Sequence, residues 1–172
     1  YTNKLREILA GVDTDWMAQP VHTGVGQKHS LYLEGGDASM LYGVDLSYNS
    51  IKGVIKGSDR NIFSGGITLS YRVKNFLFRD KLSIDYNNSD DSPWGTFDAY
   101  CRMNPYSRIY DETGQLIKSY TYTNNEGVVG DYYNPIYNSK LNTVFNNTYT
   151  TITNNFYTEW QLLENLKLTG RF

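Results

Sequence analysis

The sequence predicts an all-β fold, an antiparallel sheet of about six strands of the kind that makes up a transmembrane β-barrel segment, preceded by a short helical N-terminal lead-in. Three observations predict it. From His29 onward, apolar and polar residues alternate with a period of two. The alternating runs hold about nine to eleven residues, which a tilted strand needs to cross hydrocarbon, whereas soluble strands are commonly about five or six. The connections between runs alternate between tight and wide, as in barrels whose turns are short on one side of the membrane and long on the other.

The lead-in comes first. Asn3, then Leu5, Ile8 and Leu9, then Gly11 supply the cap, apolar spacing and stop of a two-turn helix. A further short turn is expected from Asp13 or Thr14, carrying Trp16 and ending before Pro20. Leu31 and Leu33 then run into a turn at Gly35-Gly36-Asp37. After it Met40, Tyr42, Val44, Leu46 and Tyr48 alternate with Leu41, Gly43, Asp45, Ser47 and Asn49. The next run sets Phe63, Gly65, Ile67, Leu69, Tyr71 and Val73 against Ser64, Gly66, Thr68, Ser70 and Arg72. In the one after that, Leu82, Ile84 and Tyr86 oppose Lys81, Ser83, Asp85 and Asn87.

Near the end Ile152, Asn154, Phe156, Thr158, Trp160 and Leu162 form one row, Glu164-Asn165 reverses the chain, and Leu166, Leu168, Gly170 and Phe172 form another. Tight links at 35–39, 74–80 and 164–165 therefore alternate with wider ones at 49–61 and 87–147. The last of these is too long for a featureless connection in a compact domain, which argues for function or disorder.

Composition narrows the function classes. The 16 Lys+Arg and 18 Asp+Glu leave a net charge of −2, too weak a field to imply nucleic acid. No run of 18 apolar residues exists to form a membrane helix, but barrel strands barely register on hydropathy. The single Cys101 excludes an internal disulfide and CxxC motifs. His22 and His29 lack the spacing and the third ligand of a metal site, so neither a metal nor a cofactor is expected. No GxSxG or P-loop spacing occurs, and Asp90-Asp91 in an Asn-rich stretch reads as solvated charge, so an enzyme is not expected.

An alternating strand alone also suits a soluble sheet with one wet face. Here the polar rows are built from Gly, Ser, Thr, Asp and Asn, which suits a wet lumen. The apolar row Tyr42, Val44, Leu46, Ile67, Leu69 and Ile84 is then lipid-facing, with Tyr48, Tyr71 and Tyr86 either an aromatic girdle at headgroup level or ordinary strand residues. In the long connection, Trp94, Tyr106, Tyr110, Tyr132 and Tyr133 are candidates for contact with a ligand or partner, and Asn124, Asn125 and Asn134 for hydrogen bonds to hydroxyls. The plainer reading is that they pack the connection onto itself. Six strands do not close a bacterial barrel, so the chain reads as a segment of a longer polypeptide. The rival reading is a soluble β-rich carbohydrate-binding module.

Particular motifs resemble a known family. Asp13-Thr14-Asp15-Trp16, His22-Thr23-Gly24 and Gln27-Lys28-His29-Ser30-Leu31 leading to Gly35-Gly36 resemble the junction between plug and barrel in SusC/RagA TonB-dependent transporters. Tyr42-Gly43-Val44-Asp45-Leu46-Ser47-Tyr48, Gly53-Val54-Ile55-Lys56-Gly57-Ser58-Asp59 and Phe63-Ser64-Gly65-Gly66-Ile67 resemble the strands and loop that follow. Asn104-Pro105-Tyr106 with Tyr110-Asp111-Glu112-Thr113-Gly114 resembles a loop segment of the same family.

The resemblance implies a barrel of roughly 22 strands with a plug, in the bacterial cell outer membrane. It divides the chain into 1–28, the end of the plug and its linker, and 29–172, the N-terminal part of the barrel with an extracellular loop at 87–147. It also implies import of oligosaccharides or peptides, a SusD-like surface lipoprotein, and energy from TonB–ExbB–ExbD acting through parts of the protein outside this chain. Nothing here matches a TonB box or the plug body.

Overall fold

The computed structural model describes residues 2–124, 126–141 and 143–172, the first two by backbone alone. Asn125 and the Asn3 side chain, both singled out above, lie outside the described residues. The chain divides into two compact units. One comprises residues 26–51, 60–89 and 146–172; the other comprises residues up to 25, then 52–59 and 90–145.

The first unit is the sheet. Strands β1 (Val25–Gly36), β2 (Met40–Lys52), β3 (Asp59–Val73), β4 (Phe76–Asp90), β7 (Asn146–Leu163) and β8 (Leu166–Arg171) follow one another as β1-β2-β3-β4-β7-β8, leaving β1 and β8 as open edges. The sheet does not close on itself. Six strands were expected and six are present, but most are longer than the alternation indicated. β2 to β4 hold 13 to 15 residues and β7 holds 18. The excess lies at ends rich in Asn, Ser and Asp, where hydropathy no longer alternates while the strands still pair. There the Asn87 amide donates to the Tyr149 hydroxyl at 2.9 Å, and the Ser89 hydroxyl donates to the Asn147 carbonyl at 3.3 Å.

The expected link at 74–80 contracts to Lys74-Asn75, because β4 already begins at Phe76. Lys74 adopts a φ of 50°, and Gly36 closes the β1–β2 turn at a φ of 129°, where an added Cβ would strike the Met40 carbonyl oxygen. The tight turns gather at one end of the sheet. The Arg72 amide reaches the Ser39 carbonyl at 2.7 Å, and the Gln161 amide reaches the Asn75 carbonyl at 2.8 Å. β7 and β8 are antiparallel, with Trp160 opposite Leu168 and an irregularity at Gln161–Leu163.

The second unit holds α1 (Thr2–Leu9), α2 (Phe97–Cys101), the antiparallel hairpin of β5 (Ser119–Thr123) and β6 (Val129–Tyr133), and α3 (Pro135–Ser139). The helix expected at the start therefore exists, with Asn3 inside it. The short turn around Trp16 is also present, closed by the Gln19 amide on the Trp16 carbonyl at 3.2 Å. The long connection is folded around Trp16, Tyr100 and Ile136, flanked by Trp94, Met103, Ile109 and Tyr120.

Candidate functional site

Two surfaces were expected to carry function, and each is described within its own unit. On the sheet, much of the apolar row is exposed and much of the polar rows is half-buried or buried, although Leu41, Arg72 and Lys81 in the polar rows are exposed. Tyr42, Leu46, Ile67, Leu69 and Ile84 are 40–55% exposed and Val44 is half-buried. In the polar rows Gly66 and Asn87 are buried, and Asp45, Ser47, Ser64, Thr68, Ser83 and Asp85 are half-buried. Local fit accounts for this. The Ser64 hydroxyl donates to the Asp85 carboxylate at 2.5 Å. Gly66 leaves room for Asp45, whose carboxylate would lie 2.5 Å from any Cβ placed there. Among the described residues of this unit, no second layer covers the apolar rows.

The apolar face also carries two aromatic bands. Tyr48 and Phe63 have ring centroids 4.6 Å apart, and Phe63 and Tyr86 are 6.4 Å apart, across β2, β3 and β4. Toward the tight turns, Phe76 stacks on Trp160 at 5.2 Å and on Phe78 at 6.0 Å. Along β4 the bands are eight to ten residues apart, about 26–33 Å of strand. At a tilt of about 40° that is about 20–25 Å, the height of a barrel's apolar belt. Asp80, in phase with this face, is half-buried, and its Oδ1 has no hydrogen-bond partner among the described residues.

In the second unit the expected contact residues take different places. Trp94 packs on the core under the Lys56 ammonium, 4.8 Å from its ring, and its carbonyl accepts from the Tyr100 hydroxyl at 2.9 Å. Burial pushes the Tyr100 phenol up to about 12. Tyr110 and Tyr133 are exposed and do not line the cleft that Tyr106 and Tyr132 share. Asn124 closes a turn by accepting from the Glu126 and Val128 amides. Asn134, 1% exposed, caps α3 through the Ile136 amide and donates to the Ile117 carbonyl at 2.8 Å. Asn124 and Asn134 thus spend their polar groups on the fold.

Tyr106 and Tyr132 do come together. They line a cleft with Lys4, Glu7, Ser107 and Arg108. Tyr132 stacks on Tyr120 at 5.0 Å, and its hydroxyl meets that of Ser107 at 2.8 Å. Sequence reading missed Lys4, Glu7 and Arg108, which only the fold brings together. The Arg108 guanidinium donates to Glu7 at 2.5 Å, holding that carboxyl below its ordinary range while Glu7 raises Arg108. A depressed carboxyl contributes stability above its unfolded pKa and loses it as pH falls through the folded one. The link from α1 to the long connection should therefore persist through mildly acidic pH and release only below the usual glutamate range. Carboxyl NMR titration of Glu7 checks this, and a midpoint at or above the ordinary value contradicts it.

Among the described residues no cluster of His, Cys, Asp or Glu is fit to hold a metal, and no helix is long and apolar enough to cross a membrane. The chain is similar to a TonB-dependent receptor. That protein, TonB-dependent receptor SusC of Bacteroides thetaiotaomicron, is 29% identical over 85 residues, which is 49% of this chain. The matched stretch is 8% of SusC, so the chain spans a small part of that relative's length. No family model matches the chain.

Proposed function

We propose that this chain is part of the barrel wall and loop surface of a TonB-dependent outer-membrane importer of the SusC/RagA type. The observation that carries the reading is the inversion of burial on the sheet. A solvated protein gains by covering Tyr42, Leu46, Ile67, Leu69 and Ile84, whereas a lipid-facing wall leaves them bare and turns its small polar residues to a wet interior. The aromatic bands, the strand lengths and the similarity to SusC support the same reading. Asp80 then lies beside the band nearer the tight turns, where headgroups and water are within reach.

The cargo is a nutrient solute, an oligosaccharide ahead of a peptide. The partners are a SusD-like lipoprotein and, through other parts of the protein, TonB–ExbB–ExbD. The protein binds and passes its cargo without transforming it.

Uptake tests this. Deleting the gene for the full-length protein should abolish uptake of one class of labelled oligosaccharide or peptide, and removing TonB should abolish the same uptake. Unchanged uptake across both panels would sink the importer reading. A soluble carbohydrate-binding module would instead bind glycan with no dependence on TonB.

A further inference from the structure

We infer that the lead-in, residues 4–24, lies on the same side of the membrane as the long connection 91–145 and forms part of the exterior surface of the protein. The inference rests on the barrel reading above and deepens it. The connections 53–58 and 91–145 both follow strand ends opposite those closed by the tight turns, since β2 and β4 each receive the chain from such a turn or strand and pass it on at their far end. Long connections of a bacterial barrel face outward.

The lead-in is bound to both of them. The Thr14 amide donates to the Pro105 carbonyl at 2.8 Å, and the Trp16 indole donates to the Asn104 carbonyl at 2.9 Å. The His22 amide donates to the Val54 carbonyl at 2.9 Å, and the Lys56 amide to the Pro20 carbonyl at 2.8 Å. Trp16 shares a core with Tyr100 and Ile136. One folded body with one core cannot straddle the bilayer in contact with lipid, because its irregular backbone would stand unpaired in hydrocarbon.

The resemblance by motif implied that residues 1–28 carry the chain out of the plug. A shared core with the long connection makes residues 4–24 an exterior segment instead, so β1 runs inward from the outer face and begins after an earlier surface connection. The cleft of Lys4, Glu7, Tyr106, Arg108 and Tyr132 then lies on the exterior side of the membrane.

The test is labelling of the full-length protein in intact cells with a membrane-impermeant maleimide, in a Cys101→Ser background because Cys101 is itself exposed. Single replacements at exposed positions report each region: Met17→Cys in the lead-in, Glu112→Cys in the long connection and Ala38→Cys in a tight turn. The expected result is that Met17→Cys labels as fully as Glu112→Cys with no gain on opening the outer membrane, while Ala38→Cys labels only after opening. Met17→Cys labelling only after opening, with Glu112→Cys labelled from outside, overturns the inference and leaves the barrel standing. Labelling of Ala38→Cys in intact cells removes the spanning sheet, and the inference goes with it.

Discussion

Ile67→Arg in the full-length protein, unfolded by urea from phospholipid vesicles, should lower stability by about 2–4 kcal/mol, the cost of arginine at the bilayer midplane of a barrel. Ile67 lies midway between Phe63 and Tyr71 on β3 and is 55% exposed. If lipid covers that face, the guanidinium has neither water nor partner at that depth. Moved to the band, as Tyr48→Arg, the same charge should cost only about 0–1 kcal/mol, because the interface is wet. The adjacent Thr68→Arg points to the opposite face and should also be mild. Were the sheet an ordinary solvated one, Ile67→Arg would fall within about 0.5 kcal/mol of the parent, as exposed substitutions usually do. The contrast between Ile67→Arg and Tyr48→Arg is what the lipid-facing reading requires.

Trp16→Ala should cost about 3–5 kcal/mol to the second unit, the usual loss for a buried tryptophan. Trp16 is 3% exposed, meets Tyr120 edge-on at 6.3 Å, and ties the lead-in to Asn104 through its indole. Its removal leaves a cavity beside Tyr100 and Ile136 and takes one of two hydrogen bonds from the Asn104 carbonyl, which still accepts from the Ser107 amide at 3.0 Å. Trp16→Phe keeps most of the packing and loses one hydrogen bond, about 1 kcal/mol. Limited proteolysis of the membrane-inserted protein reads the outcome, with 91–145 cut rapidly in Trp16→Ala and slowly in Trp16→Phe. Equal resistance in the parent and Trp16→Ala would mean that the lead-in does not hold the long connection together.

What was legible in the sequence follows from the range of each signal. A strand's alternation is local, so the row from Tyr42 to Ile84 and the number of sheet strands emerged from neighbouring residues alone. Strand ends did not, since Asn87, Ser89 and Asn147 pair across the sheet without any apolar rhythm.

The folded long connection was illegible for a different reason. Its core joins Trp16 to Tyr100 and Ile136, and its ion pair joins Glu7 to Arg108, contacts with no periodic trace in the chain. For Asn124 and Asn134 the sequence left open hydrogen bonds to a ligand or packing of the connection onto itself, because composition cannot reveal that one closes a turn and the other caps a helix. Among the aromatics, Trp94 serves packing, while Tyr106 and Tyr132 meet in a cleft whose other wall comes from α1.

The most direct measurement is the direction in which the apolar row faces in the full-length protein. Single cysteine replacements at Tyr42, Val44, Leu46, Ile67, Leu69 and Ile84, and at Ser47, Thr68 and Ser83, would be labelled with a lipid-restricted probe and a water-soluble one. Labelling of the first set from lipid and of the second only from water is the result predicted for a barrel wall. Shielding of the first set from both probes would contradict it, because a second protein layer would then cover the face assigned to lipid.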